Sequence, residues 1–199
     1  MTTAFTGPHA ELALAAIELE AVAHRALFDG DADLARRSLR AAAVVYRESW
    51  TLAPPGSWGR LLGMLKAAVL ADPELAASCA RYALDALNAA GAADESPPTA
   101  YVAALCAVIH GDDAQALRAI EGMRTGSPAF VRTAAAIEAL ARGDAAAYAQ
   151  ALGEIVRSFE TRDEHLSGVA IADTAMMLER LAQPRGLAAV PGPSPVLPA

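Results

Sequence analysis

The chain contains 199 residues, of which 54% are hydrophobic, 20% charged and 5% aromatic. This length suits one domain that buries roughly two-thirds of its unfolded surface, and the apolar fraction excludes global disorder. A formal net charge of −7 argues against a nucleic-acid-binding surface, which is normally basic. The apolar stretches fall short of the ~20 residues of a membrane span, and the first residues lack a secretory signal. We therefore expect a cytoplasmic protein that binds neither membrane nor nucleic acid.

Alanine dominates the composition with 51 copies, and it is the best helix former and a poor strand former. Leucine and alanine recur at three- and four-residue steps, for example at Leu12, Ala16, Leu19 and Ala23. This spacing is typical of one apolar helical stripe, and it predicts an all-α fold. In chain order, the nine predicted helices cover residues 12–27, 31–45, 58–70, 73–90, 99–109, 113–123, 126–142, 144–159 and 169–182.

Capping residues mark several of the predicted helix starts. Asp31, Asp72 and Asp144 stand where an aspartate side chain accepts a hydrogen bond from the first helical turn. Pro73 follows Asp72 at the first helical position, which tolerates proline. Ser57, after the break at Ala53-Pro-Pro-Gly, is predicted to cap the third helix.

A Gly-Asp pair recurs between helices, in Phe28-Asp-Gly-Asp, Ile109-His-Gly-Asp and Ala141-Arg-Gly-Asp. The glycine suits the left-handed end of one helix and the aspartate suits the cap of the next. Alanines and leucines follow each pair at helical spacing. The repetition predicts a stack of antiparallel helical hairpins, similar to a tetratricopeptide array whose consensus has eroded.

Residues 91–98 form the longest loop-like segment and could divide the chain. Each half would be a thin domain, so we expect a single domain over residues 1–199. Residues 187–199 are rich in proline, which fixes φ and removes backbone donors. They predict an extended C-terminal tail.

The most polar connection joins two apolar helices and reads Glu160-Thr-Arg-Asp-Glu-His165. One interpretation is a solvated connector. The other is a pocket mouth in which Asp163 or Glu164 orients His165 as a general base, because a carboxylate fixes the imidazole tautomer and raises its basicity. Arg162 would then bind an anionic group of a substrate.

Asp173 is the clearest candidate, because it stands inside the apolar sequence Val169-Ala-Ile-Ala-Asp-Thr-Ala-Met-Met-Leu. A carboxylate buried there costs several kcal/mol unless it is paired or hydrogen-bonded. Its partner could be Arg180 or an arginine of a neighbouring helix. Three alternatives remain: a structural aspartate, a functional carboxylate in a cavity, or an ordinary exposed residue.

Other polar and aromatic residues are weaker candidates. Trp50, Trp58 and Arg60 lie on both sides of one connection, and Tyr82 lies on a charged face of the fourth helix. Such residues are favoured at binding surfaces, but they also fill an alanine-rich core well. Glu20 and His24 lie four residues apart on the first helix, so they share a face and could form a local pair.

Cys79 and Cys106 are too few for a disulfide scaffold and lack metal-ligand spacing, so we interpret them as buried hydrophobes. Motifs for phosphate loops, nucleophile elbows and zinc helices are not found in the sequence. We accordingly expect no cofactor and no metal.

The C-terminal third, from Ser158-Phe-Glu-Thr-Arg-Asp-Glu-His-Leu through Asp173-Thr-Ala-Met-Met-Leu-Glu-Arg-Leu-Ala to Ser194-Pro-Val-Leu-Pro, resembles actinobacterial all-helical proteins of the immunity protein 49 type. The resemblance covers about the last 45 residues, and the remainder matches only in helical rhythm. It implies a tetratricopeptide-like array that protects by binding a toxin. No toxin-contact residue carries over from it.

The sequence suggests two functions, and a structural module without a ligand is a third possibility. The first is an interaction protein that binds a partner protein or companion subunit, which the array and the acidic charge favour; a homo-oligomer is left open. The alternative is a cofactor-free small-molecule enzyme of natural product biosynthesis, catalysing elimination, cyclisation or hydrolysis. In that enzyme Asp173 and His165, with Glu164, would be the acid and base. Its substrate would contact Arg162, Trp50, Trp58, Arg60 and Tyr82.

Overall fold

The computed structural model describes residues 6–92, 96–189 and 192–198, and within them the fold is all-α, as predicted. The helices are α1 (Pro8–Phe28), α2 (Ala32–Leu52), α3 (Gly59–Ala71), α4 (Pro73–Ala90), α5 (Pro97–His110), α6 (Asp113–Met123), α7 (Pro128–Arg142), α8 (Ala145–Glu160) and α9 (Asp173–Ala182). A short 3₁₀ turn, Gln183–Arg185, follows α9. The described residues form no strand.

The three Gly-Asp pairs make the same turn three times. Gly30, Gly111 and Gly143 all have positive φ, at 76°, 77° and 69°. In each turn the next aspartate donates its backbone N–H to a carbonyl of the preceding helix, over 2.8 to 2.9 Å. The same aspartate side chain then accepts a bond from the first turn of the following helix. The predicted hairpins α1–α2, α5–α6 and α7–α8 are confirmed, because glycine is the residue that enters the left-handed region without strain.

Two local predictions are wrong. Ser57 does not cap α3, because its hydroxyl donates instead to the carbonyl of Pro54 over 2.8 Å. The ninth helix begins at Asp173 and not at Val169. Residues 169–172 lie outside a helix. Their apolar pattern, which predicted a helix, belongs instead to a non-helical segment in which Ile171 and Ala172 are buried.

The helices pack as a continuous array. Each helix contacts the next along the chain, including α4 and α5 on the two sides of the 91–98 connection, of which residues 93–95 lie outside the described part. α3 also packs on α5, and α5 on α7. The residues of α5 from Thr99 to Val108 are all buried, as expected for a helix at the centre of a core that is apolar on every side.

α9 contacts α3, α7 and α8, and therefore closes over helices distant in sequence. The C-terminal tail contacts the segment before α9 and the end of α8. Val196 is buried and its carbonyl accepts a 2.8 Å bond from the N–H of Ala172, while Ser194 donates to Glu160 over 2.6 Å. The described tail residues contain neither helix nor strand.

Among the described residues, no helix combines the length and apolarity that crossing a lipid bilayer requires.

Candidate functional site

A cavity of about 270 Å³ opens on the face shared by α1, α3, α5 and α7. The connection between α8 and α9, residues 161–172, forms one wall, and α8 itself supplies another. The ionisable and hydroxyl-bearing side chains that line it are Glu20, His24, Lys66, Tyr101, Arg132, Thr133, Ser158, Arg162, His165, Ser167, Asp173 and Thr174. Apolar side chains, including Leu62, Phe130 and Ile155, fill the surface between them.

An ion pair between Lys66 of α3 and Asp173 of α9 lies in this cavity. Each side chain is less than a fifth exposed. Lys66 is the only lysine in a chain with fifteen arginines, and it stands in an apolar helix whose neighbouring Leu65 and Ala67 are fully buried.

Burial alone would raise the pKa of Asp173, but the Lys66 ammonium and the backbone N–H of Thr174, 2.6 Å from Oδ1, hold that pKa below its ordinary value. Burial likewise opposes the charge of Lys66, and Asp173 more than offsets it, so the pKa of Lys66 is raised. Both groups are therefore charged at neutral pH.

Glu20 of α1 is a second buried carboxyl group, only 6% exposed. Its Oε2 accepts a hydrogen bond from the hydroxyl of Tyr46 over 2.8 Å. Burial raises the pKa of Glu20 to about 7, against the opposing effects of Lys66 and Tyr46. Near neutral pH this carboxyl group consequently exists in both protonation states.

The ring of Tyr46 reaches Glu20 because α3 carries a glycine beside it. A Cβ on Gly63 would lie 2.7 to 2.9 Å from three ring carbons of Tyr46, which is closer than real contacts allow. Gly63 therefore permits the close approach of α2 and α3 that places the tyrosine hydroxyl on the carboxylate.

His24 lies one helical turn after Glu20 and is 3% exposed. Its Nδ1 lies 2.8 Å from the hydroxyl of Ser167, which belongs to the 161–172 connection. Burial lowers the pKa of His24 to about 4, although Asp173 partly opposes this. His24 is thus neutral at pH 7, and it holds the connection against α1.

Two residues of the cavity lining each have a buried polar atom that forms no hydrogen bond, Oη of Tyr101 and Nδ1 of His165. Tyr101 is 8% exposed, and burial raises its pKa to about 12, so the hydroxyl keeps its proton at neutral pH. Buried polar groups in folded proteins are normally hydrogen-bonded. These two atoms are therefore exceptions to that rule, and both belong to residues of the cavity lining.

Three of the residues that the sequence assigned to catalysis or substrate binding meet in this cavity: Arg162, His165 and Asp173. Glu164 is exposed and does not line it. Neither Asp163 nor Glu164 orients His165, whose Nδ1 has no partner and whose ring instead lies 6.1 Å from the ring of Phe159.

The other four predicted substrate contacts do not line the cavity. Trp50 and Trp58 pack on each other with ring centroids 5.0 Å apart, and the Nε of Arg60 donates to Ser49 over 2.7 Å. Tyr82 lies beneath the guanidinium of Arg47, 4.9 Å from its ring centre. These four half-buried residues connect α2 with α3 and α4.

Several residues of the cavity were missed or misread in the sequence. Asp173 pairs with Lys66 and not with Arg180, which is exposed. Glu20 and His24 do not pair with each other, but with Tyr46 and Ser167. A signal for Lys66 was present, since a single lysine in an otherwise apolar helix has the same character that singled out Asp173.

Cys79 and Cys106 are free and buried, as predicted. Within the described residues, no three His, Cys, Asp or Glu side chains are arranged to hold a metal ion. No family model, no curated protein and no solved structure matches this chain.

Proposed function

We propose that the protein binds a small organic molecule in this cavity and acts on it by acid–base chemistry. The observation that carries the proposal is the gathering, in one recess, of a carboxyl group with a pKa near 7, a buried ion pair and two unpartnered polar atoms. Perturbed titratable groups in a cleft are typical of functional sites. Proton transfer is the reaction that such side chains perform by themselves.

Glu20 is the proposed proton-transfer group. A general acid or base works best when its pKa lies near the operating pH, and burial brings the carboxyl group of Glu20 there. The Tyr46 hydroxyl fixes the orientation of the carboxyl group through its 2.8 Å bond. The other carboxyl oxygen remains available to a ligand in the cavity.

Lys66 is the proposed stabiliser of negative charge that develops on the substrate. Its ammonium is kept charged by Asp173, and it lies near enough to Glu20 to lower that residue's pKa. A preorganised cation in a partly dry recess stabilises an oxyanion more than water does. The Tyr101 hydroxyl, which lies beside the side chains of Thr133 and Thr174, is a second donor in the same cavity.

This assignment differs from the acid and base inferred from sequence. Asp173 has a lowered pKa and an ion-pair partner, so it favours a role as the positioning residue of Lys66. His165 has no carboxylate partner to raise its basicity, and its unpaired Nδ1 suits contact with a ligand.

The test uses the purified protein and a small-molecule extract of its source cells. The protein is incubated with the extract at pH 7, and consumed and formed compounds are identified by mass spectrometry. We expect one compound to be replaced by a product of equal mass or of a mass differing by one water. Glu20→Gln should abolish that conversion while native mass spectrometry still detects the bound substrate.

A matched control blocks the cavity without touching Glu20. Ala129 lines the cavity and is exposed, so Ala129→Trp should abolish binding as well as conversion. Unchanged conversion in Glu20→Gln would contradict the proton-transfer role. Conversion that persists in Ala129→Trp, with the fold intact by circular dichroism, would place the chemistry elsewhere.

Partner-protein binding is the second candidate function. It is favoured by the net charge of −7 and by exposed apolar side chains on the first hairpin, namely Leu14, Val44 and Leu52, each more than half exposed. Isothermal titration against the product of the adjacent gene tests it. Saturable binding that Leu14→Ser and Val44→Ser weaken would support this function, and no heat of binding would refute it.

A further inference from the structure

Two arginines line the same cavity without an acidic partner. Arg132 extends from α7 and Arg162 from the connection after α8. Neither forms an ion pair among the described residues, in contrast to Arg124, Arg142 and Arg185, which do. The only acid of the cavity that lies near Arg162, Asp173, is already bound by Lys66.

The side chain of Arg162 is exposed to solvent on one side and contacts two residues of α8 on the other. Its Cζ lies 3.7 Å from the centre of the Phe159 ring, and its Nη2 lies 3.4 Å from the hydroxyl of Ser158. Stacking on an aromatic ring fixes the plane of a guanidinium while leaving its donors free. Burial lowers the pKa of Arg162, the Asp173 carboxylate raises it, and the positive charge of Arg132 lowers it. Arg132 is therefore close enough to Arg162 for the two cations to repel each other.

Two like charges that line one cavity repel, and an anion between them removes the repulsion. Planar guanidinium groups bind carboxylate and phosphate oxygens through parallel hydrogen bonds. The unpaired Nδ1 of His165, three residues after Arg162, supplies a third polar contact to the same wall.

We infer that the ligand of this cavity is a small organic anion, whose carboxylate or phosphate group binds between Arg132 and Arg162. Its apolar body lies against Phe130 and Ile155, and a polar atom at its far end meets the Tyr101 hydroxyl. The cavity of about 270 Å³ is near the lower limit of ~300 Å³ for small-molecule sites, so the body is no larger than one or two rings. This inference rests on the proposed function and names its substrate class.

The test measures binding of three probes of similar size, benzoate, phenyl phosphate and the neutral benzamide, by calorimetry and thermal shift at fixed ionic strength. We expect at least one anion to bind saturably and to raise the melting temperature, while benzamide binds at least tenfold more weakly. The tighter of the two anions distinguishes a carboxylate site from a phosphate site.

Arg132→Gln and Arg162→Gln should each weaken binding of the preferred anion by at least tenfold. Arg157→Gln is the matched control, because Arg157 is an exposed arginine of α8 that does not line the cavity. It removes the same charge nearby and should change the dissociation constant by less than twofold. Arg132→Lys and Arg162→Lys form a second set that keeps the charge and the aliphatic stem, and each should bind more weakly than the native protein.

Three results would overturn the inference: benzamide binding as tightly as benzoate, Arg157→Gln weakening binding as much as Arg162→Gln, or no saturable binding of either anion. These outcomes are distinct from failure of the proposed function. If the protein converts a neutral compound and this conversion requires Glu20, the acid–base proposal stands and the anion inference fails. If the protein binds an anion equally well with Glu20→Gln and converts no compound, the anion inference stands and the acid–base proposal fails.

Discussion

Replacing Asp173 by alanine leaves the only lysine of the chain without its partner in a cavity wall. Breaking a buried ion pair by removing one member costs about 3–5 kcal/mol, because the remaining charge is uncompensated. The Lys66 and Asp173 side chains retain 19% and 18% of their exposure, so some of that penalty is relieved by water in the cavity. We expect Asp173→Ala to lower the free energy of unfolding by about 3 kcal/mol.

A double-mutant cycle separates the ion pair from the other contacts of Asp173. Its Oδ1 also accepts a 2.6 Å bond from the backbone N–H of Thr174, and an acid in the first turn of a helix stabilises it by ~0.3–1 kcal/mol. Those contributions are lost in Asp173→Ala whether or not Lys66 is present. In a Lys66→Met background, Asp173→Ala should therefore cost only about 1 kcal/mol, which gives a coupling energy of about 2 kcal/mol.

Urea unfolding at pH 7, followed by circular dichroism, measures all four proteins. Unchanged m-values would verify that the variants unfold from comparable native states. A cost below about 0.5 kcal/mol for Asp173→Ala, or strict additivity in the cycle, would refute the conclusion that this ion pair stabilises the fold.

Three further predictions concern pH, packing and capping. Between pH 4.5 and 6.5 the raised pKa of Glu20 makes stability fall as pH rises, whereas the lowered pKa of His24 makes it rise, each by about 1.4 kcal/mol per pH unit. The two slopes should largely cancel in the native protein. The free energy of unfolding should therefore rise with pH in Glu20→Gln and fall with pH in His24→Gln. The same pH dependence in both variants would contradict both assignments. Gly63→Ala should lower the free energy of unfolding in urea by about 1–3 kcal/mol, because the new Cβ would overlap the Tyr46 ring. An unchanged urea midpoint would show that the ring moves aside freely. Asp112→Ala removes the side-chain acceptor for the N–H of Gln115 and should lower the free energy of unfolding by about 1 kcal/mol. Asp112→Asn, which keeps a capping oxygen, serves as its comparison and should change it much less.

The Gly-Asp turns could be predicted from the sequence because everything that forms them is local. Glycine at Gly111 adopts φ 77°, and Asp112 accepts from the N–H three residues later, so the signal and the structure occupy the same few residues. The start of α9 could not be predicted in this way. Residues 169–172 have a helical apolar pattern, but Ala172 donates its N–H to Val196, which lies 24 residues later in the chain.

In the cavity too, features that depend on nearby residues could be predicted, and contacts between distant parts of the chain could not. Asp173 stood out because one polar group in an apolar segment is visible in sequence, and its partner Lys66 could have been noticed by the same reasoning. What sequence could not supply is that α3 and α9 are in contact, since 107 positions separate the two residues. Trp50, Trp58, Arg60 and Tyr82 had the composition of a binding surface. Composition alone does not distinguish a binding surface from a contact between helices.

The proposal that this cavity performs acid–base chemistry at neutral pH depends most directly on Glu20. Its carboxyl carbon can be followed by carbon-13 NMR in protein labelled at glutamate side chains, with Glu20→Gln identifying the signal. We predict a titration midpoint near pH 7, because burial disfavours the ionised carboxylate. A midpoint near the ordinary value of 4.5 would mean that Glu20 is fully ionised at neutral pH and would contradict its role as the proton-transfer group.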